Sequence, residues 1–235
     1  MRNLACVLLV AAASLAACGH SPGSRCAGAR DAHMSLVRVD DSSEYMQRVY
    51  EHVGMAADGA ATDPAAIAAG IRIDIDMWRT PHDASVTDYR LVGPHRATLE
   101  TYVAGLGPAL QVPADHRIVY EHVAPRADGK DPRDYWRSFY VDAAPILDQT
   151  ALATAEVVAH DSQPPTVQLG FTRAGGQAFE AATAKAVGHK VAFVVDGEVD
   201  VAPVINTPIR GGKAEVTTPT KLDAELLMKR LGCTT

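Results

Sequence analysis

The chain has 235 residues, a formal net charge of −6 and 47% hydrophobic residues. An acidic chain of this composition lacks the basic surface that attracts nucleic acid or an anionic membrane, which argues against both as partners. The length and apolar content suffice for one sizeable core or for two small ones.

The start of the chain has the features of a bacterial export signal. Arg2 is followed by an apolar run over residues 4–17, which is too short to cross a bilayer permanently. Leu15–Cys18 resembles a lipobox, in which the cysteine becomes the lipidated first residue. An ordinary signal peptide with a chance cysteine is the alternative. We therefore predict a signal peptide over residues 1–17 and lipidation at Cys18.

The predicted anchor defines a compartment. A lipid-tethered protein would lie at the periplasmic face of the cell envelope, and Gly19 after the cysteine weakly favours the outer membrane. No other apolar stretch approaches the ~20 residues that a spanning helix needs. Residues 18–33 are rich in Gly, Ser and Ala, which predicts a flexible tether. Loss of Arg2 with the signal would take the net charge from −6 to −7.

The cysteines predict one disulfide. Cys6 would leave with the signal and Cys18 would carry lipid, so Cys26 and Cys233 remain. In an oxidising compartment an even pair predicts a disulfide. Two thiols at flexible ends that never meet are the alternative.

Residues 34–110 are predicted to form an N-terminal unit of mixed strands and helices. Ile71–Trp78 alternates apolar and polar residues, as a half-buried strand does, and Asp63-Pro64 has the order of a helix start. The predicted strands cover 34–39, 71–78 and 86–92, and the predicted helices cover 43–52, 64–69 and 94–106.

Residues 111–235 are predicted to form a second unit. Asp196-Gly197, between two β-branched runs, is a strong hairpin signal, and Gly175-Gly176 would let backbones approach closely at a helix start. The predicted strands cover 117–123, 135–141, 166–171, 190–195, 198–201 and 214–217, and the predicted helices cover 173–187 and 221–231. This order predicts an α+β fold with an antiparallel sheet and helices on one face.

The segment from 192 to 217 carries several motifs in a specific order. A strand ends in Asp196-Gly197, a Val-x-x-Ala-Pro-Val-Ile step covers Val199–Ile205, and Gly211-Gly212 turns the chain into a strand and a helix. This order resembles the head subdomain of the first periplasmic domain of SecD and SecDF. The resemblance implies a ferredoxin-like C-terminal head that contacts unfolded or translocating polypeptide, or a Sec or other envelope membrane protein. Proton-driven pulling is not implied, because it belongs to the family's membrane helices.

Two features of the second unit are candidates for binding. The connection from residue 202 to 210 carries Val204, Ile205 and Ile209, which could bind peptide if they are exposed; packing against the helix at 221–231 is the ordinary interpretation. The edge of a sheet could also accept an extended peptide by strand addition. The speculative peptide-binding residues are Val199, Val204, Ile205, Ile209 and Arg210.

Evidence for catalysis or metal binding is weak. Asp74 and Asp76 could bind a cation or act as acid and base, but the solvated face of an alternating strand is the ordinary interpretation. His116 and His122 are too far apart on one strand to share a metal without a third ligand. The sequence has no His-Glu-x-x-His or Gly-x-Ser-x-Gly motif. We therefore expect no catalytic residue, no metal and no cofactor.

Three hypotheses follow from the sequence. The leading one is a non-enzymatic envelope lipoprotein that binds polypeptide during export or translocation. The first alternative is a structural or assembly lipoprotein that docks on a fixed membrane partner. The second alternative is a metal-dependent hydrolase that uses residues such as Asp74 and His116.

Overall fold

The computed structural model describes residues 24–26, 33–57, 59–125, 133–158 and 163–233. These residues form an α+β fold, which confirms the predicted class. The predicted signal peptide over 1–17 and the lipidation site Cys18 lie outside the described residues, as does most of the predicted tether.

The helices and strands follow the predicted order closely. The helices are α1 (Glu44–Val53), α2 (Pro64–Ala68), α3 (Arg96–Gly105), α4 (Arg173–Lys185) and α5 (Lys221–Arg230). The strands are β1 (Ser24–Arg25), β2 (Met34–Arg38), β3 (Arg72–Arg79), β4 (Ser85–Gly93), β5 (His116–Val123), β6 (Tyr135–Asp142), β7 (Leu147–Asp148), β8 (Leu152–Val158), β9 (Thr166–Phe171), β10 (Val191–Val195), β11 (Glu198–Val201) and β12 (Lys213–Thr217).

The strands form two sheets. One has eight strands in the order β3-β4-β6-β5-β11-β10-β2-β7, and the other has four in the order β1-β8-β9-β12. The larger sheet joins strands from both sides of residue 110, because β2 pairs with β10 and β4 pairs with β6. Both ranges, 34–110 and 111–235, contribute strands to this one sheet. The predicted division of the chain into two units at these bounds stays a prediction.

Five strands of the larger sheet close into a small barrel-like ring. The end of β2 returns to β6 through a bridge between Val39 and Val141, and the N–H of Asp40 donates to the carbonyl of Tyr140 at 3.0 Å. Strands β6, β5, β11, β10 and β2 therefore enclose an interior, which alternating side chains fill. These side chains are all at most 4% exposed: Val37, Val39, Val119, Phe139, Val141, Ala192, Val194 and Val199.

Apolar layers cover the outside of the ring on two sides. On one side, α1 and α3 pack over the aromatic residues of β5 and β6, where Tyr45 stacks on Tyr140 with ring centroids 4.7 Å apart. On the other side, the four-stranded sheet, α4 and α5 share a core with β2 and β10. The protein is thus a ring between two covering layers.

The predicted hairpin forms, but it joins the larger sheet. Asp196 and Gly197 both have positive φ, 52° and 78°, as a tight hairpin turn requires. The strands of the C-terminal part are divided between two sheets, with β10 and β11 in one and β9 and β12 in the other. All five residues of β10 are buried, because the interior of the ring covers one face of this strand and the core shared with α4 and α5 covers the other.

The glycines at the start of α4 allow the predicted close approach. A Cβ added at Gly176 would lie 2.9 Å from the Cα of Gly212, and one added at Gly175 would lie 2.8 Å from the Cβ of Ala151. The hydroxyl of Thr172 accepts the N–H of Gly175 at 3.1 Å and caps the helix. The turn before β12 is thereby held against α4.

Candidate functional site

The two remaining cysteines form a disulfide. Cys26, directly after β1, is joined to Cys233, which follows α5, and both residues are buried. The bond connects positions 207 residues apart and ties the short strand β1 to the end of the chain. The predicted pairing is therefore present in the structure.

Three of the five predicted peptide-binding residues lie in the interior. Val199 points into the ring, and Ile205 and Ile209 are 2% and 5% exposed in the core that also contains Leu227 and Leu231 of the closing helical segment. Packing against the segment around α5, the ordinary interpretation of these side chains, is what the structure shows for Ile205 and Ile209.

Backbone hydrogen bonds explain this burial. The N–H of Val191 donates to the carbonyl of Pro203 at 3.1 Å, and the N–H of Ile205 donates to that of His189 at 2.9 Å. The connection after β11 is therefore held against the start of β10. Val204 is half-buried, while Arg210 is exposed and pairs with Glu180 at 3.3 Å. A role for Val204 and Arg210 in peptide binding stays a prediction.

The two aspartates of β3 belong to a network of ion pairs. Arg90 donates to Asp74 at 2.8 Å, and the Lys190 ammonium donates to Asp76 at 2.9 Å and to Asp88 at 2.7 Å. The solvated face expected from the sequence is partly exposed, as predicted, but its carboxylates also form ion pairs that the sequence did not indicate. The cationic side chains are 5–7% exposed, whereas Asp74 and Asp76 are 36% and 44% exposed.

The network exists because the β3–β4 hairpin folds back toward β10. The indole N–H of Trp78 donates to the carbonyl of Gly188 at 2.8 Å, and the Lys190 ammonium lies 4.5 Å from the centroid of the Trp78 ring. Burial raises the pKa of Asp76, but the hydrogen bond from Lys190 and the charges of Lys190 and Arg90 outweigh it, and the pKa is lowered overall. The arrangement fixes the hairpin in place.

The two histidines of β5 have separate surroundings. His116 stacks on Tyr140, its Nδ1 lies 2.9 Å from Asp115, and His122 instead contacts Asp134 at 2.7 Å. Within the described ranges, no group of three or more His, Cys, Asp or Glu side chains could hold a metal ion.

An open groove of about 540 Å³ runs between α2 and α3. Asp63 caps α2 by accepting the N–H of Ala66 at 2.8 Å, and it also accepts the hydroxyl of Tyr102 at 3.1 Å. Burial and the hydrogen bond to Asp63 raise the pKa of Tyr102. The polar groups of the groove floor thus bind each other, and the rest of the lining consists mainly of small side chains.

The longer end strand of each sheet, β3 or β12, has a second edge that pairs with no other strand in the described part of the chain. Strand β3 ends the eight-stranded sheet and pairs with β4 over eight consecutive residues without a bulge. Strand β12 ends the four-stranded sheet and pairs with β9 over five residues. An open edge offers backbone donors and acceptors to an added strand. The sequence indicated that an edge could bind peptide, but not which strand would form it.

Fold and surface together define an α+β protein whose accessible features are sheet edges and a groove. None of the helices in the ranges given above is long and apolar enough to cross a membrane.

Comparison with known proteins finds a family model that matches part of the chain. Residues 122–231, just under half of the chain, match the family model described as SecDF, P1 head subdomain. The protein translocase subunit SecD of Magnetococcus marinus is 31% identical over 107 residues, which is 46% of this chain and 20% of that protein. The protein translocase subunit SecDF of Thermus thermophilus is 40% identical over 72 residues, which is 31% of this chain and 10% of that protein.

A solved structure described as "Structure and function of a membrane component SecDF that enhances protein export" is also similar. It is 19% identical, with a TM-score of 0.38, covering 85% of this chain and 92% of that chain. A TM-score of this size does not define a shared fold, so the relation to SecD rests on the sequence matches. The chain spans a fifth or less of the length of the two curated relatives described above.

Proposed function

We propose that the protein is a non-enzymatic cell-envelope lipoprotein that binds polypeptide in connection with protein export. The observation that supports this most is the match of residues 122–231 to the SecDF P1 head subdomain, together with relatives named protein translocase subunits. A head module that contacts polypeptide needs accessible backbone or apolar surface, and the open edges of the two sheets are suited to this.

The proposed location is the periplasmic face of the envelope, with a lipid anchor at Cys18 and a preference for the outer membrane. The lipobox-like Leu15–Cys18 supports the anchor. The buried disulfide between Cys26 and Cys233 fits an oxidising compartment, because such bonds persist there and are rare in the cytosol. Several acyl chains, as bacterial lipidation supplies, would hold the protein stably without a spanning helix.

Crosslinking in the native envelope tests the function. A photo-crosslinking amino acid placed at exposed Met77 should capture a mixture of secreted precursors while export is active. The same label at exposed Lys185 on α4 serves as a matched control and should capture few of them. Capture of one stoichiometric membrane protein would contradict polypeptide binding and favour the assembly alternative.

Two further comparisons test the remaining parts of the proposal. The Cys18→Ser variant should lose membrane attachment yet retain its fold, whereas unchanged membrane attachment would contradict lipidation. Metal analysis of the purified protein, with His116→Ala and Asp74→Ala as controls, tests the hydrolase alternative. Bound metal that both variants lose would support that alternative against the proposal.

A further inference from the structure

The backbone geometry of β3 shows which of its groups are available. The N–H of Thr80 donates to the carbonyl of Ala84 at 2.8 Å, so this pair closes the β3–β4 ladder. At the other end, the N–H of Leu91 donates to the hydroxyl of Ser138, away from its partner Ile73. Because bonded and non-bonded pairs alternate in an antiparallel ladder, the outward-directed N–H and C=O groups belong to Ile73, Ile75, Met77 and Arg79.

The same four positions share one face of the sheet, and three of them are apolar. Met77 is 72% exposed, and Ile75 lies opposite Tyr89, whose ring stacks on that of Tyr50 from α1 at 4.7 Å. Tyr50, Ile75 and Tyr89 are all half-buried. An added strand would therefore find backbone partners along the edge and an apolar surface beside it.

The opposite face of β3 is acidic at its centre. Among the described residues, Asp74, Asp76 and Asp88 face Arg90 and Lys190 there, and Arg137, whose charge also acts on Asp76, is paired with Glu121. Arg72, at the start of the strand, is turned over the ring of Tyr135, with its guanidinium carbon 5.4 Å from the ring centroid. The four carboxylates of this face therefore outnumber its three cations by one. Because Asp74 and Asp76 are half-exposed, a basic side chain on the added strand would complement this excess negative charge.

The open edge of β12 is shorter than that of β3 and carries polar side chains. The N–H of Phe171 donates to the carbonyl of Gly212, and the N–H of Thr218 donates to that of Pro165, so alternation directs the groups of Lys213, Glu215 and Thr217 outward. This edge is five residues long and its outward positions carry polar side chains, including a lysine. Short, charged edges of this kind discourage strand pairing.

The geometry points to β3 as a strand-addition site for an extended polypeptide segment that alternates apolar and basic residues. The apolar side chains would lie beside Ile73, Ile75 and Met77, and the basic ones would face Asp74 and Asp76. This inference rests on the proposed polypeptide binding and specifies where it occurs and which chemistry is preferred. The site lies outside residues 122–231, so the family match does not include it.

The test uses the disulfide-bonded protein and a fluorescein-labelled nine-residue peptide that alternates Ile and Lys, with binding measured by fluorescence anisotropy. Ile75→Pro removes the outward N–H of Ile75 but leaves the ladder with β4 intact, since proline is tolerated on the open side of an edge strand. We expect about tenfold weaker binding to this variant, and a change within about twofold for the matched control Ile75→Val, which keeps the N–H. Glu215→Pro, the equivalent change in β12, should leave binding unchanged.

A circular dichroism melting curve reports whether the Ile75→Pro variant folds. Changes to the peptide test the same contact on the wild-type protein, so they do not depend on the folding of that variant. Methylation of alternate peptide nitrogens should weaken binding to the wild type about tenfold, because it removes the donors that face one edge. A peptide that alternates Ile and Glu should also bind more weakly than the Lys peptide.

Several results would overturn the inference. Binding that survives both Ile75→Pro and N-methylation, or that is lost in Glu215→Pro, would show that peptide binds elsewhere while polypeptide binding itself stands. Dimerisation of the wild type in sedimentation that Ile75→Pro abolishes would identify a second copy as the occupant of β3. Absence of peptide binding together with absence of crosslinked precursors would instead remove the proposed function.

Discussion

At the scale of single residues, the sequence could not reveal the ion pairs around Lys190. Lys190 reaches Asp76 and Asp88, which are 114 and 102 positions away in the chain, so no local pattern connects them. The alternation of Ile71–Trp78 correctly predicted a strand but not that its carboxylates would be paired. A lysine at the start of a β-branched strand was the only local signal, and without its partners it indicates nothing specific.

Replacing Lys190 should destabilise the fold strongly. Lys190→Met would leave the buried carboxylate of Asp88 without its closest cation, and breaking a buried pair by removing one partner costs about 3–5 kcal/mol. Urea denaturation measures the free energy of unfolding. Lys185→Met, at an exposed position, is the matched control and should change it by less than about 0.5 kcal/mol. Equal small effects of both changes would contradict the importance of the ion pairs.

The lowered pKa of Asp76 predicts a pH dependence of stability. A carboxyl whose pKa is lower in the folded state than in the unfolded state contributes stability above the unfolded value, and this is lost as pH falls through the folded value. The stability difference between the wild type and Asp76→Asn should therefore be full at pH 7 and shrink as the pH falls below about 4, the ordinary pKa of an aspartate. Urea titrations over this range measure it, and a pH-independent difference would argue against the assignment.

At the scale of elements, local signals predicted well and long-range pairing did not. The Asp196-Gly197 turn and the alternating strands depend on neighbouring residues, and all of them form where predicted. Ile205 and Ile209 in the connection after β11 are buried, as packing against the closing helix requires, but the pairing of this connection with the start of β10 was not predicted, because no local pattern shows it. Strand β8 was missed, since no strand was predicted between residues 141 and 166.

The burial of Ile205 gives a prediction that separates packing from binding. Ile205→Ala should lower the free energy of unfolding by about 2–5 kcal/mol, because it leaves a cavity in a core where Ile205 is 2% exposed. The neighbouring Val204→Ala, at a half-buried position, should cost less than about 1 kcal/mol. Thermal and urea unfolding check both. An unchanged stability of Ile205→Ala with loss of peptide binding would restore the interpretation of Ile205 as a binding residue.

At the scale of the whole molecule, three layers and one covalent bond connect regions that are far apart in sequence. Strand β2 completes the ring formed with β5, β6, β10 and β11, and the disulfide joins β1 to the end of the chain. Residues 122–231, which match the family, thus share their sheet with residues before 110. This arrangement depends on long-range contacts, and the α+β class was the part of it that composition and element order could predict.

Removing the disulfide should lower stability without changing the fold. The bond closes a loop of nearly the whole chain, for which chain entropy suggests about 4–5 kcal/mol, and measured losses are about 2–5 kcal/mol. Thermal unfolding with and without a reducing agent measures the effect. The double variant Cys26→Ser and Cys233→Ser is the control and should not respond to the reducing agent. Equal melting temperatures for oxidised and reduced wild type would contradict a stabilising role.

The most direct test of polypeptide binding at β3 is amide hydrogen exchange of the protein, measured with and without an unfolded secreted precursor. We predict that the precursor slows exchange in β3, at the outward amides of Ile73, Ile75 and Met77, while the amides of β12 exchange as before. Unchanged exchange in β3 at saturating precursor, or protection confined to the segment from 198 to 210, would contradict it.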